Sequence, residues 1–131
     1  MGKPLRDIVI VSVEELEASV KALFDTGSFY SIVRDDRLPR GAAILRYKTP
    51  RTMRAASKGS VLTTEGEITL VLRIGDKQVN DVALVSSSLS QEMIVGAGTM
   101  QKWDISIVST NGHTDVVVGH DMRDPDITEV D

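Results

Sequence analysis

The sequence of 131 residues contains no cysteine, and only 4% of its residues are aromatic. The lack of cysteine excludes a disulfide framework and thiolate chemistry, and it is compatible with a reducing compartment. With so few aromatic side chains, the core must be built mainly from valine, isoleucine and leucine. No apolar run approaches the ~20 residues that cross a bilayer, and the N-terminus lacks the long apolar centre of a signal peptide. We therefore expect a cytoplasmic protein with no membrane partner.

A basic surface is also missing. The net charge is −4, and residues 121–131 carry five acids and one arginine, which accounts for all of it. The remaining 120 residues hold 14 basic and 14 acidic side chains. Because a nucleic-acid-binding surface must neutralise phosphates, this balance predicts no nucleic-acid partner. We expect a folded domain over residues 1–119 and a flexible acidic tail over residues 120–131.

Motifs for metal or cofactor binding are lacking as well. The two histidines, His113 and His120, have acids nearby, but no third and fourth metal ligand is placed with them in the sequence. Neither a Gly-x-Ser-x-Gly motif nor a phosphate-binding loop is present. We therefore expect no metal and no cofactor.

Apolar residues recur mostly with a period of two, which is typical of strands with one buried face. In the segment EITLVLRIG, the side chains of Ile68, Leu70, Leu72 and Ile74 share one face. Further strands with the same pattern are predicted over residues 8–13, 20–24, 79–85, 104–108 and 115–118. Such a series of short strands predicts a small all-β domain, and domains of this class usually close into a barrel or a sandwich.

Turn and helix signals separate these strands. Glu65-Gly66, Gly75-Asp76 and Asn111-Gly112 each predict a turn, and Asn-Gly between two apolar runs is the strongest hairpin signal of the three. VEELEASV, residues 13–20, is either a short helix or a hairpin connection. TMQKWD, residues 99–104, follows two glycines and is expected to form a turn or two of helix.

One short segment has the composition of a reactive site. The apolar run Val20–Phe24 ends directly in Asp25-Thr26-Gly27, and apolar residues resume at Ile32. Because Asp and Gly are turn formers, the triplet alone indicates only a tight loop. A carboxylate at the end of a buried strand is either exposed at that turn or held in a cleft.

Three segments, in order along the chain, resemble the aspartic peptidases. VKALFDTGSFYSIV resembles their active-site segment, with Ser31 where a Ser or Thr is usual. Ile94-Val95-Gly96 resembles the apolar-apolar-Gly motif that precedes a short helix. Between them lies a candidate flap hairpin, MRAASKGSVLTTEGEI, with substrate-binding residues at its tip. These are Ala55, Ala56, Ser57, Lys58, Gly59 and Ser60. The chain is similar to the single-domain retropepsin-like peptidases, which implies an all-β, closed-barrel fold with one short helix.

The resemblance implies an aspartic endopeptidase. Hydrolysis by this route requires two facing carboxylates that share one proton, one acting as base toward water and the other donating to the scissile carbonyl. Asp25 belongs to the only Asp-Thr-Gly triplet in the chain. The second carboxylate must therefore come from a second copy across a two-fold axis. The expected partners are a second copy of this chain and a peptide or protein substrate.

The resemblance also implies roles for the neighbouring residues. Thr26 would hydrogen-bond to the backbone of the second copy, Gly27 would point its N–H at the carboxylate, and Ser28 would donate to the outer carboxylate oxygen. Segment 55–60 would close over an extended peptide, pair with its backbone and exclude water. Residues 94–96 would support the site from the second motif.

The chain departs from the retroviral pattern at two places. Retroviral proteases place an acid shortly after the triplet and an arginine after the second motif, and these form an ion pair that braces the dimer. This chain has Ser28-Phe29-Tyr30 and Gly96-Ala97-Gly98 there, so another contact must replace the ion pair. Two other functions are open: a non-catalytic dimeric peptide-binding or scaffold domain with the same fold, and a monomeric β-barrel module in which Asp25 is an exposed turn residue.

Overall fold

The computed structural model describes residues 3–12, 16–54 and 61–124. Within these ranges the chain forms nine strands, one α-helix and one 3-10 turn. In chain order they are β1 (Leu5–Val11), β2 (Glu17–Asp25), β3 (Ile32–Arg34), the 3-10 turn (Asp35–Arg37), β4 (Leu45–Arg54), β5 (Val61–Ile74), β6 (Lys77–Ser86), β7 (Met93–Gly96), α1 (Ala97–Lys102), β8 (Ile105–Thr110) and β9 (His113–Val118).

Six strands form a closed barrel in the order β1-β2-β7-β3-β6-β5. The barrel closes because β1 also pairs antiparallel with β5, which places Ile10 opposite Leu72. β4 lies outside the barrel and pairs antiparallel with residues 61–67 of β5. β8 pairs with β9 in a separate two-stranded sheet. The predictions of an all-β closed barrel and of one short helix are confirmed.

The interior of the barrel is aliphatic, as the composition indicates. Along β5, Ile68, Leu70, Leu72 and Ile74 are between 1% and 7% exposed, so the predicted buried face is confirmed. Phe24, near the end of β2, is completely buried. Burial of a side chain of this size contributes about 1.5–3 kcal/mol to the stability of the fold. It therefore anchors the end of β2, which carries Asp25.

Two of the three predicted turns join the strands that flank them. Asn111 and Gly112 connect β8 to β9 with φ angles of 49° and 79°. Two successive positive φ angles are what a type I′ hairpin requires, and Asn-Gly supplies them with little strain. Gly75, with a φ of 61°, turns the chain from β5 into β6.

The turn predicted at Glu65-Gly66 is wrong. Both residues lie inside β5, and Gly66 is paired with Arg46 of β4. A Cβ atom on Gly66 would stand only 2.6 Å from the carbonyl oxygen of Leu45. This glycine therefore permits the close approach of a neighbouring strand, a requirement that the local sequence does not reveal.

The helical alternative for VEELEASV is wrong for its second half. Residues 17–20 belong to β2 and pair antiparallel with β1. Residues 13–15 lie outside the described residues. The β1–β2 connection is thus in the position expected of a hairpin.

The segment after β9 is tied to the barrel through Asp121, whose side chain is only 4% exposed. Its carboxylate accepts the N–H of Gln78 at 2.9 Å and forms an ion pair with Arg123 at 2.7 Å. The Arg123 side chain is the main reason that the pKa of Asp121 lies well below its usual range. Residues 120–124, expected to begin a flexible tail, are thus attached to the start of β6. Residues 125–131 lie outside the described residues, and the domain boundary stays a prediction.

Within the described ranges, no helix has the length and apolar character needed to span a membrane. In the same ranges, no three His, Asp or Glu side chains come together in a way that would hold a metal ion.

Candidate active site

The Asp-Thr-Gly and Ile-Val-Gly motifs lie side by side at one end of the barrel. β2 and β7 are parallel neighbours, and their register places Asp25 beside Gly96. β3 runs antiparallel to β7 on its other side, with Ile32 opposite Ile94. Two segments that are distant in sequence therefore form one structural unit.

Asp25 ends β2, and its carboxylate lines a cleft with 14% of the side chain exposed. The N–H of Gly27 donates to Oδ1 over 2.8 Å. A Cβ atom on Gly27 would stand 3.1 Å from that oxygen, so a side chain there would crowd the carboxylate. Lys3 Nζ lies 3.2 Å from the other oxygen, Oδ2. Each carboxylate oxygen thus has one donor.

The hydroxyl of Ser28 has a different partner from the one expected. It donates to the carbonyl oxygen of Tyr30 over 2.8 Å. Because a hydroxyl has one proton to donate, this bond takes the place of the expected bond to Asp25. Its effect is to tighten the turn that follows the triplet.

Gly96 lets this loop pass close to the start of α1. Its φ of −93° is open to any residue, but a Cβ atom would stand 2.4 Å from the carbonyl oxygen of Tyr30 and 2.6 Å from that of Phe29. The N–H of Gly98 donates to the Phe29 carbonyl over 2.9 Å. A Cβ on Gly98 would also stand 3.0 Å from Phe29 Cζ. Backbone hydrogen bonds thus join the loop after Asp25 to the start of α1.

Ser31 connects the two motifs from inside the fold. The residue is only 4% exposed. Its hydroxyl oxygen accepts the N–H of Gly96 at 3.0 Å and lies 2.6 Å from the hydroxyl oxygen of Thr99. Ser31, Thr99 and Gly96 are all buried. These bonds therefore satisfy polar groups that water does not reach.

The cleft in front of Asp25 has a volume of about 740 Å³. Most of its walls are aliphatic or aromatic. These wall residues are Phe29, Tyr30, Ile32, Met53, Val61, Leu62, Leu89 and Ile94. Of the described residues that line it, Asp25 is the only acid, and Lys3 and Arg54 are the only bases. A largely apolar cleft with a few convergent polar groups is typical of a ligand site.

The hairpin of β4 and β5 borders this cleft. The two strands pair as far as Arg54 and Val61, and both residues line the cleft. The chain therefore enters and leaves the predicted flap at the cleft rim. The six residues expected to bind substrate, 55–60, lie outside the described residues, so their role stays a prediction.

Thr26 and the second motif face different surroundings. Thr26 is exposed and lines a hollow of about 490 Å³ together with Gln101 and Ile107. Ile94 lines the cleft, whereas Val95 is completely buried in the barrel. The bond expected from Thr26 to a second copy stays a prediction.

Sequence reasoning missed Lys3 and Leu89. Leu89 comes from the loop after β6, whose approach to the cleft depends on the pairing of β6 with β3. Lys3 lies far from the triplet in sequence, and only the register of β1 on β2 indicates their contact. Leu5 lies opposite Leu23, and extending this antiparallel pairing by two residues places Lys3 opposite Asp25.

Comparisons with known proteins agree with this arrangement. The family model of the Ty3 transposon peptidase matches residues 10–121. EIAV protease complexed with the inhibitor HBY-793 has a similar structure, with a TM-score of 0.57 and 14% identity, over 82% of this chain and 93% of the protease. The retroviral protease-like domain of Ddi1 from Leishmania major also has a TM-score of 0.57, with 15% identity over 93% of this chain and 99% of that domain. No curated protein matches the sequence.

Proposed function

Because this chain belongs to the Ty3 transposon peptidase family, we propose that it is an aspartic endopeptidase whose catalytic residue is Asp25. Two copies of the chain each contribute one Asp25 carboxylate, and the pair shares one proton. The ionised carboxylate takes a proton from a water molecule as that water attacks the scissile carbonyl carbon. The protonated carboxylate donates its proton to the carbonyl oxygen.

The observation that carries this proposal is the setting of the Asp25 carboxylate. It accepts the Gly27 N–H at the end of β2 and opens into an apolar cleft large enough for several side chains of a peptide. It is also the only carboxylate among the described residues of that cleft. A mechanism that needs two carboxylates therefore needs a second copy.

The surface around Thr26 supports a contact with that copy. Thr26 is exposed beside a hollow lined by α1 and β8. Ile107 of β8 lines the same hollow. Association through this side would bring two Thr26 residues, and with them two Asp25 residues, toward a common axis.

Asp25→Asn tests the catalytic role. We expect cleavage of a diverse peptide library between about pH 3 and pH 7 to fall by about 10³-fold or more, because asparagine neither shares the proton nor acts as base. The mass in light scattering should remain that of a dimer. Asp7→Asn is the matched control, since Asp7 is paired with Lys21 at 3.2 Å, as Asp25 is with Lys3. This control should retain activity.

The outcomes separate the alternatives. A dimer that binds peptides but cleaves none of them, with or without the substitution, would show a non-catalytic binding domain. A strict monomer at high concentration would exclude the two-copy mechanism, since each chain brings one Asp-Thr-Gly aspartate.

A further inference from the structure

On the premise of the peptidase function proposed above, we infer that Lys3 is a specificity-determining residue. The cleft would select peptides that carry an acidic side chain close to the scissile bond. Three observations lead to this substrate class: the position of Lys3, the balance of charge in the cleft, and the exposure of the Lys3 ammonium group.

The position of Lys3 follows from the strand ladder that carries Asp25. β1 pairs antiparallel with β2, with Leu5 opposite Leu23. The N–H of Phe24 donates to the carbonyl oxygen of Pro4 over 2.9 Å, so the pairing continues beyond β1. Two residues before Leu5, Lys3 falls opposite Asp25, with Nζ 3.2 Å from Oδ2. Each copy in a dimer would therefore hold its own Lys3 beside its own Asp25.

Charge in the assembled site would not balance. Two Asp25 carboxylates that share one proton carry one negative charge, whereas two Lys3 side chains carry two positive charges. The other charged residue lining the cleft, within the described ranges, is Arg54, and it is also positive. A bound peptide displaces the water that solvates these cations. The excess positive charge therefore favours a peptide that brings its own carboxylate.

The ammonium group of Lys3 has capacity for a second acceptor. Its side chain is 51% exposed while lining the cleft. An ammonium group has three donors, and Asp25 engages one of them. Since Asp25 acts on the scissile carbonyl, a second acceptor near Lys3 would come from a residue close to that bond. The apolar walls, including Ile32 and Ile94, would bind the remaining side chains.

The test compares matched peptides that have a central apolar pair and Glu, Gln or Lys at each flanking position in turn. With the unsubstituted protein, we expect Glu to exceed Gln in kcat/KM by about fivefold at one position, mainly through KM, as for a partly exposed ion pair. Lys3→Met should abolish this preference. Lys3→Glu should reverse it, so that the Lys peptide becomes the better substrate.

A matched control is available on the same two strands. Lys21 forms a cross-strand pair with Asp7 at 3.2 Å, and neither residue lines the cleft. Lys21→Met should keep the preference for Glu, because it removes an equivalent ion pair outside the site. A preference for Glu that survives in Lys3→Met would overturn the inference, and so would equal cleavage of the Glu and Gln peptides by the unsubstituted protein.

The same peptides with a reduced, uncleavable central bond keep the two proposals apart. If nothing is cleaved but the reduced Glu peptide binds more tightly than its Gln partner, and Lys3→Met removes the difference, the role of Lys3 stands without the peptidase activity. Cleavage without any charge preference leaves the peptidase function and refutes the role of Lys3. Absence of both cleavage and binding refutes both.

Discussion

Replacement of Gly96 by alanine should destabilise the protein severely. The Cβ atom would stand 2.4 Å from one backbone carbonyl oxygen and 2.6 Å from another, those of Tyr30 and Phe29. Both oxygens belong to main chain, so relief requires that the whole loop after Asp25 move away from α1. Overpacking of this kind costs typically 1–3 kcal/mol, and we expect about 3 kcal/mol because two backbone contacts are violated together.

The assay is urea unfolding followed by circular dichroism at one protein concentration, since dimerisation would otherwise shift the apparent stability. With a slope of about 1.5 kcal/mol/M, a loss of about 3 kcal/mol lowers the unfolding midpoint by about 2 M. Peptide cleavage should fall further than the unfolded fraction explains, because the displaced loop carries Gly27, whose N–H donates to the Asp25 carboxylate.

Gly98→Ala is the matched control. Its Cβ atom would stand 3.0 Å from Cζ of the Phe29 ring and 3.1 Å from the Phe29 carbonyl oxygen. Phe29 is 62% exposed, so its ring can rotate aside, and alanine is preferred to glycine within a helix by about 1 kcal/mol. We therefore expect a change of less than about 1 kcal/mol in either direction. Equal midpoint shifts for the two variants would refute the reasoning from backbone proximity.

Two further predictions concern buried polar contacts. Ser31→Ala removes the partner of the Gly96 N–H and of the Thr99 hydroxyl, and it should lower the free energy of unfolding by about 2 kcal/mol; a urea midpoint unchanged from that of the unsubstituted protein would contradict this. The pKa of Asp121 is lowered mainly by its hydrogen bond with Arg123. Because the folded state favours the ionised carboxylate, Asp121 stabilises the fold above about pH 4, its pKa in the unfolded chain, and this stabilisation is lost as the pH falls below that value. Asp121→Asn should therefore lower the thermal midpoint at neutral pH and flatten its decline in acid, and parallel pH curves for the two proteins would count against this linkage.

The strands were predictable because their signals are local. Alternation from Ile68 to Ile74 matches the buried face of β5, and Asn111-Gly112 matches the positive φ angles of its hairpin. The turn proposed at Glu65-Gly66 failed because the need for glycine there arises from β4, which is distant in sequence. The residues that flank Gly66 in the sequence do not indicate that another strand packs closely against it.

The candidate site was predictable only in part, for the same physical reason. The resemblance identified both motifs, and the parallel pairing of Asp25 with Gly96 then explains why they occur together. The Ser28 hydroxyl was assigned the wrong acceptor, because its choice depends on the fold of the following turn. Lys3 was missed because strand register, rather than residue type, brings it to Asp25.

The parallel pairing of β2 with β7 also has a consequence for how the chain folds during synthesis. Residues 22–25 obtain their β7 partners only when residues 93–96 have been made. Until then, one edge of β2 has no neighbour, and an N-terminal fragment ending before residue 93 would present that edge to other chains. Pairings of such long sequence separation also slow folding. A nascent chain would therefore complete the carboxylate-bearing loop only after residues 93–96 have left the ribosome.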